Sequence, residues 1–224
     1  MTQIPSLREA LWHNNPALIQ LLGLCPLLAV SQYAVTAITL GLISLVVMTL
    51  SNLIISLLRP LMFELIRLPL QIMVIASLVT AADLLLQAFY FELHQRIGLF
   101  VALIVTNCAI LGRAELFARR SSAPKALIDG WFMGLGFFWV IAVMGMAREI
   151  LGKGTIFAEA GRLTGLDIPN AGIQITSFSI QLVSFAPGAF FIFALMIAAK
   201  NYLDLRHEQR QENSVSQPTE GPEP

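Results

Sequence analysis

Residues 17–58 form a run of 42 positions without a single Asp, Glu, Lys or Arg. As one helix, this run would be about 63 Å long at about 1.5 Å per residue, roughly twice the hydrocarbon thickness of a bilayer. The run must therefore reverse its direction. Ser31, Gln32 and Tyr33 form its main polar interruption. They predict a turn between a first span at 18–30 and a second span at 36–58.

Four more apolar segments follow, each bounded by charged residues and each long enough to cross a bilayer. They lie at 68–91, 98–117, 127–147 and 174–199. Hydrophobic residues make up 56% of the chain and charged residues only 12%, which is outside the range of soluble domains. We predict an all-α integral membrane protein with six transmembrane helices. A net charge of +0 argues against nucleic-acid binding, which needs a basic face.

The distribution of basic residues predicts the orientation of the chain. With six spans, ten of the 14 Lys and Arg residues fall on the side of both termini and four on the other side. By the positive-inside rule, the termini are cytoplasmic. Residues 1–17 precede the membrane domain at 18–200 and form either a short interfacial helix or an ordinary polar lead-in. Residues 201–224 form a polar cytoplasmic tail that lacks the apolar residues needed to fold alone.

The two cysteines of the chain occupy corresponding segments. Cys25 lies in the first segment and Cys108 in the fourth, 83 residues later. Three spans per half insert the second half upside down, so we predict two inverted three-helix repeats at 18–91 and 98–199. Counted from opposite faces, the cysteines lie about 10 Å and about 15 Å inside a hydrocarbon core about 30 Å thick. Both thiols are therefore predicted at middle depth.

The helices that carry the cysteines are expected to be short or broken. Gly23 and Pro26 flank Cys25, and Pro26 lacks the amide that would bond the Leu22 carbonyl in a continuous helix. Asn107 and Gly112 flank Cys108. Paired interrupted helices often mark a site at a repeat interface. The thiols could instead be inert packing residues or a structural disulfide. Two thiols do not complete an iron-sulfur or zinc site, which needs four ligands, so any such site requires a second protein.

Other polar and small residues suggest further roles. Asp83, inside the third segment, predicts an ion or proton path, or else a carboxylate buried in a helix contact. Gly130 and Gly134 form a GxxxG pattern that predicts close helix packing. Arg148 and Glu149, at the end of the fifth segment, read as anchors at the membrane interface.

Several strings between residues 14 and 200 resemble the NqrD/RnfE family, which contains membrane proteins of the Rnf electron-transport complexes and of the Nqr complexes. These strings are NNPALIQLLGLCPLLAV, SNLIISLLRP, VTNCAILGRAELFA, REILGKGTIF and PGAF. GLCPLLAV and the long polar tail favour the Rnf branch, which is RnfE.

The resemblance implies a membrane component of an ion-translocating ferredoxin:NAD oxidoreductase in a bacterial inner membrane, without a complete active site of its own. It implies that Cys25 and Cys108 supply half of the ligands of a 2Fe-2S cluster shared with the homologous protein RnfA. Gly23, Pro26 and Asn107 are then placed to surround the cluster, where amides freed by the broken helices donate to its sulfurs. The resemblance also implies the partners RnfB, RnfC, RnfD and RnfG, with flavins on other components, and coupling to Na+ or H+.

Two other functions remain open at this point. A cation-conducting or secondary-transport protein would use the repeats as an alternating-access path, with passive cysteines and Asp83 as the residue of interest. A structural scaffold would need neither cysteine.

Overall fold

The computed structural model describes residues 9–153, 155–156, 173–174 and 185–215. Within these residues, the α-helices in chain order are α1 (Leu24–Val30), α2 (Ala34–Leu57), α3 (Arg67–Phe89), α4 (Phe91–Ala102), α5 (Cys108–Leu116), α6 (Ala123–Lys153) and α7 (Ala186–Val215). Short helical turns lie at Glu9–His13, Arg59–Leu61 and Ala118–Arg120. Two-residue strands, β1 (Thr155–Ile156) and β2 (Ile173–Gln174), pair antiparallel. The described fold is therefore helical apart from this one short strand pair.

Four of the described helices are long and apolar enough to cross a bilayer. Their candidate spans are Ala34–Leu57, Arg67–Phe89, Ala123–Gly152 and Pro187–Arg206. A helix satisfies the backbone hydrogen bonds of its interior residues within itself, which hydrocarbon requires. The second, third and fifth predicted segments are confirmed as helices. The sixth is helical from Ala186 onward, and its first part lies outside the described residues.

The first and fourth predicted segments are interrupted, as expected. In the first, turns at 14–23 separate the Glu9–His13 turn from α1. In the fourth, turns at 103–106 and the extended residue Asn107 separate α4 from α5. The predicted reversal at 31–33 is confirmed, because α1 ends at Val30 and α2 begins at Ala34.

The start of the fourth segment was predicted at residue 98, but α4 already begins at Phe91, and only Tyr90 separates it from α3. The charged stretch before residue 98 is helical because it is amphipathic. Leu93 and Ile97 are buried one turn apart, while Glu92 is exposed on the opposite side. Charge in this stretch therefore marks a helix surface rather than a loop.

Helices α2 and α6 form a close antiparallel pair at the centre of the fold. A Cβ added at Gly130 of α6 would lie 2.9 Å from the Cα of Thr49, and one at Gly134 would lie 3.2 Å from the Cα of Leu45. Gly41 of α2 makes room for side chains of α6, because a Cβ there would lie 2.6 Å from Cγ2 of Ile141 and 3.0 Å from the Phe138 ring. The predicted packing role of Gly130 and Gly134 is confirmed, since absent side chains let the two backbones approach.

Hydrogen bonds close this pair at both ends. Near the end of α6, the Glu149 carboxylate accepts from the backbone N–H of Ala34, at 2.7 Å. Near the end of α2, the hydroxyl of Ser56 donates to the carbonyl of Ser121, at 2.8 Å. The end of α6 is therefore hydrogen-bonded to the first residue of α2, and the end of α2 is hydrogen-bonded to the chain just before α6.

The Glu9–His13 turn packs against the middle of α6. Asn15, just after it, donates from Nδ2 to the Gly136 carbonyl at 3.0 Å, and Ala10 is fully buried. Trp12 donates to Asp204 of α7, and the Lys200 ammonium lies 5.7 Å from the centre of the Trp12 ring. The lead-in is thus held by α6 and α7, and its position relative to a membrane surface stays a prediction.

Substitution of Gly130 by Ala should destabilise the fold. The new methyl group would meet backbone atoms of α2, at 2.9 Å from Thr49 Cα and 3.0 Å from the Met48 carbonyl oxygen. These backbone atoms can move away only if the two helices separate. We expect a loss of about 1–3 kcal/mol, measured as a lower unfolding temperature of the detergent-purified protein.

Gly112→Ala is the matched control, because the nearest atom to its new methyl group is a flexible Leu22 Cδ1 at 3.6 Å. Equal stability of the two variants would contradict the close packing of α2 on α6.

Candidate functional site

Each cysteine lies in the first turn of a short helix that follows a break in the chain. Cys25 is the second residue of α1, and Cys108 is the first residue of α5. Before α1, the backbone takes positive φ at Leu21 (53°) and at Gly23 (76°). Positive φ is costly for leucine but open to glycine, so Gly23 allows the chain to turn into α1.

The two breaks contact each other. A Cβ added at Gly23 would lie 2.8 Å from the side-chain oxygen of Asn107 and 2.8 Å from the Phe137 ring, and 3.4 Å from Ala109. The backbone just before Cys25 therefore lies against the residue just before Cys108, over a buried aromatic ring of α6. This arrangement brings the two cysteine-bearing helix starts to one place at the middle of α6.

From this place, α1 and α5 run toward opposite ends of α6. The carbonyl of Leu28 in α1 accepts from Arg148, near the end of α6. Arg113 of α5 forms an ion pair with Asp129, near the start of α6, and its Nε lies 3.1 Å from Oδ2 of Asp129. Both short helices thus direct their N-terminal amides, which carry partial positive charge, toward the shared centre.

Asn107 is buried between the breaks and is only partly hydrogen-bonded. Its Oδ1 accepts from the backbone N–H of Ala109 at 3.0 Å and so caps the start of α5. Its Nδ2 has no hydrogen-bond partner among the described residues. A buried donor without a partner is costly, so the site offers a hydrogen bond to an acceptor beside Cys108.

Both thiols are free and exposed on the surface of this chain. The sulfur of Cys108 lies 3.9 Å from the carbonyl of Thr106. Among the described residues, no group of three or more His, Cys, Asp or Glu side chains could hold a metal ion. The chain therefore presents two thiols, which is half of the usual ligand set of an iron-sulfur cluster.

Pro26 plays a different part from the one expected. It was expected to break a helix by removing the amide that would bond Leu22. Instead, it is the third residue of α1, where a helix has no internal partner for the amide. The break is made by the residues up to Gly23, and Pro26 is buried within the first turn.

Asp83 does not join the two cysteines. Its Oδ1 lies 3.1 Å from Nδ1 of His94, across the contact between α3 and α4. Gly98 leaves room for the imidazole, since a Cβ there would lie 2.9 Å from His94 Cε1. Asp83 therefore belongs to a separate carboxylate-imidazole pair, which its spacing in the sequence did not reveal.

Arg148 and Glu149 were interpreted as interface anchors, but each is only 1% exposed. Arg148 donates to Leu28 and Ser31, and Glu149 accepts from Ala34. They hold the end of α1 and the start of α2. The sequence signal was an adjacent cation and anion directly after an apolar run, which also occurs in ordinary interface positions.

Comparisons with known proteins agree over nearly the whole length. The profile of the Rnf-Nqr family, described as Rnf-Nqr subunit, membrane protein, matches residues 4–197. A protein of Shewanella sp. (strain MR-4), named as the E subunit of an ion-translocating oxidoreductase complex, is 46% identical over 215 residues, covering 94% of this chain and 92% of the relative. Its namesake from Cellvibrio japonicus (strain Ueda107) is 45% identical over 205 residues, covering 90% and 86%. That from Thioalkalivibrio sulfidiphilus (strain HL-EbGR7) is 46% identical over 213 residues, covering 93% and 92%.

Contact between the breaks predicts that Cys25 and Cys108 can be joined within one chain. A short bifunctional thiol reagent should cross-link them in the isolated, metal-free protein, because Gly23 and Asn107 hold the two helix starts together. Peptide mass spectrometry would detect the linked pair. Variants that lack either cysteine are the controls, and failure of the wild-type chain to cross-link would contradict this geometry.

Proposed function

Because the chain belongs to the Rnf-Nqr family of membrane subunits, we propose that it relays electrons within an ion-translocating ferredoxin:NAD oxidoreductase of the Rnf type. It is one component of an enzyme complex and has no complete active site of its own. The observation that carries the proposal is the contact between the two chain breaks, each followed within two residues by a cysteine. This is how one chain can present two thiolates side by side at middle depth.

The ligand arithmetic requires a partner. A 2Fe-2S cluster uses four cysteine thiolates, and this chain supplies Cys25 and Cys108. Both cysteines are exposed on the chain's surface, so a second protein can reach the same metal centre. The partner we propose is the homologous RnfA, which contributes two further cysteines from the opposite orientation in the membrane.

The residues around the thiols suit an anionic centre. When bound, the cluster supplies one-electron oxidation and reduction. The N-terminal amides of α1 and α5 face the same place, and the Nδ2 of Asn107, which finds no partner in the described part of the chain, adds a side-chain donor. Such donors compensate the cost of placing negative charge in a medium of low dielectric constant. Gly23 brings the two breaks together, and Pro26 shapes the first turn of α1.

The same proposal includes six membrane spans in two inverted repeats. Each half would begin with an interrupted segment that carries its cysteine, followed by a long central helix, α2 or α6. The antiparallel packing of α2 on α6, with Gly130 of α6 against the backbone of Thr49, supplies the central helix pair that this proposal requires. Ten of 14 basic residues on one side support cytoplasmic termini.

The family assignment supports the wider setting of the proposal. The complex would lie in the bacterial inner membrane and include RnfB, RnfC, RnfD and RnfG, with flavins on other components. Electrons would pass between ferredoxin and NAD, coupled to movement of Na+ or H+.

Loss of either cysteine should remove the cluster. In the co-purified pair of this chain and RnfA, Cys25→Ala or Cys108→Ala takes away one of four ligands. We expect loss of the cluster signal in the electron paramagnetic resonance spectrum after dithionite reduction, and a matching fall in iron content.

Gly112→Ala is the control, because it changes α5 without touching a thiol and meets only a flexible leucine. Normal iron content and cluster absorbance in a cysteine variant would refute ligation by that residue.

One observation favours a second candidate function, a role in cation conduction. Asp83, in the apolar helix α3, lies 3.1 Å from the imidazole of His94 in the amphipathic helix α4, and an ionisable residue within a candidate membrane span often marks an ion or proton path.

Asp83→Asn separates the two functions. If the chain is an electron relay, cluster content and electron transfer should stay at the wild-type level, because α3 carries no cluster ligand. Electron transfer and ion uptake would be measured together in sealed vesicles. Loss of ion uptake with intact electron transfer would assign Asp83 to conduction.

A further inference from the structure

Arg148 and Glu149 are charged residues enclosed by the fold. Each is 1% exposed, and Arg148 is the largest fully buried side chain among the described residues. A buried charge is costly unless hydrogen bonds and opposite charge compensate it. The hydrogen-bond partners of these two residues therefore indicate which part of the structure the buried charges stabilise.

Arg148 binds the end of α1. Its Nη1 donates to the carbonyl of Leu28 at 3.1 Å and to the hydroxyl of Ser31 at 2.9 Å. Leu28 lies in the last turn of α1, where carbonyls lack a helical donor. The backbone N–H of Gln32 would serve Leu28 in a longer helix, but it donates to Val30 instead. The guanidinium thus supplies the missing donor and a cation at a helix C-terminus, where it is favourable.

The same guanidinium also reaches the start of α7, where Nη2 donates to the carbonyl of Phe185 at 3.3 Å. The next residue, Glu149, accepts from the N–H of Ala34, the first residue of α2. Two consecutive residues of α6 therefore hold the chain on both sides of the turn at 31–33. Gly145, one turn earlier, permits this approach, because a Cβ there would collide with the Cβ of Ala37 in the first turn of α2.

The position of α1 fixes the position of Cys25. Helix α1 has seven residues, a length of about 10 Å, and Cys25 lies one turn from Leu28. So short a helix moves as a rigid body, and a shift at its end reaches the thiol. Polar bonds at the start of α1 are few, since Gly23 provides no side-chain cap. Among the described residues, the end of α1 is held by the bonds from Arg148 and by the Thr36 hydroxyl, which donates to the Val30 carbonyl at 3.1 Å. Of these, only Arg148 brings a charged donor from α6.

We infer that Arg148 is a positioning residue for the redox centre. Through Leu28 and Ser31 it sets where the Cys25 thiol stands relative to the Cys108 thiol, and Glu149 secures the turn that follows. This inference rests on the proposed function, because it assigns Arg148 a role in the geometry of the shared cluster.

The test compares Arg148→Met and Arg148→Lys in the complete purified complex. In Arg148→Met, the cluster's electron paramagnetic resonance g values and midpoint potential should shift. After the cluster is removed by chelation, alkylation of Cys25 should be about tenfold faster, the ratio expected for loss of a charged hydrogen bond, while alkylation of Cys108 is unchanged. Arg148→Lys should show each effect more weakly than Arg148→Met. Lysine keeps the positive charge, but its ammonium lacks the planar fork with which arginine also reaches Phe185.

Lys200→Met is the matched control. Lys200 is also a buried cation, but it pairs with Asp204 on its own helix and lies over Trp12 rather than bonding to α1. This variant should keep the wild-type g values, potential and Cys25 alkylation rate.

Unchanged spectra and Cys25 alkylation in an assembled Arg148→Met complex would overturn the inference. If Arg148→Met does not assemble, the test uses Ser31→Ala and Arg148→Lys, because each removes only some of the hydrogen bonds between Arg148 and its partners. Wild-type spectra and Cys25 alkylation in both variants would then overturn the inference. Cys25→Ala tells this failure from failure of the proposed function. If the Cys25→Ala variant keeps the cluster, ligation by Cys25 is refuted. If Cys25→Ala loses the cluster but the Arg148 variants leave its spectrum and potential unchanged, only the positioning role is refuted.

Discussion

The close antiparallel contact between α2 and α6 is the constraint on which the rest of the structure depends. Glycines at 41, 130 and 134 remove side chains from the contact, so the backbones approach to van der Waals distance. Once the pair is fixed, both ends of α6 become attachment points. Arg148 and Glu149 hold α1 and the start of α2 at one end, and Asp129 holds Arg113 of α5 at the other. The two short helices are thereby forced to begin near the middle of α6.

A broken helix in hydrocarbon needs local compensation, because amides and carbonyls at the break have no water to bind. The described breaks meet this need with short-range polar contacts. Asn15 accepts from the backbone N–H groups of Ala17 and Leu18, and Asn107 accepts from that of Ala109. Gly23 supplies the positive φ and the space that let the two breaks touch. The amides that remain directed at the meeting point make it suitable for an anionic group.

Much of this arrangement could be predicted from the sequence, and the failures have physical causes. The turn at 31–33, the long helices and the breaks beside the cysteines follow from polarity, length and glycine content. The start of α4 was misplaced, because its charged residues occupy the surface of an amphipathic helix rather than a loop. Pro26 was expected to interrupt the first apolar segment, but the interruption lies before it, in the residues up to Gly23. Burial of Arg148 and Glu149 was missed, because adjacent opposite charges after an apolar run look the same at a membrane interface.

The sequence by itself determined that this chain is a helical membrane protein, that its first apolar run reverses at 31–33, and that its two cysteines lie beside breaks in short helices. These features depend on local composition and on the length of apolar runs, which a bilayer constrains directly. Only the tertiary structure decided that the two breaks touch, that Asp83 faces His94, and that Arg148 holds the helix carrying Cys25. Those contacts join residues far apart in the chain. The contacts at α1 and α5 form because the close packing of α2 on α6 places both short helices against α6.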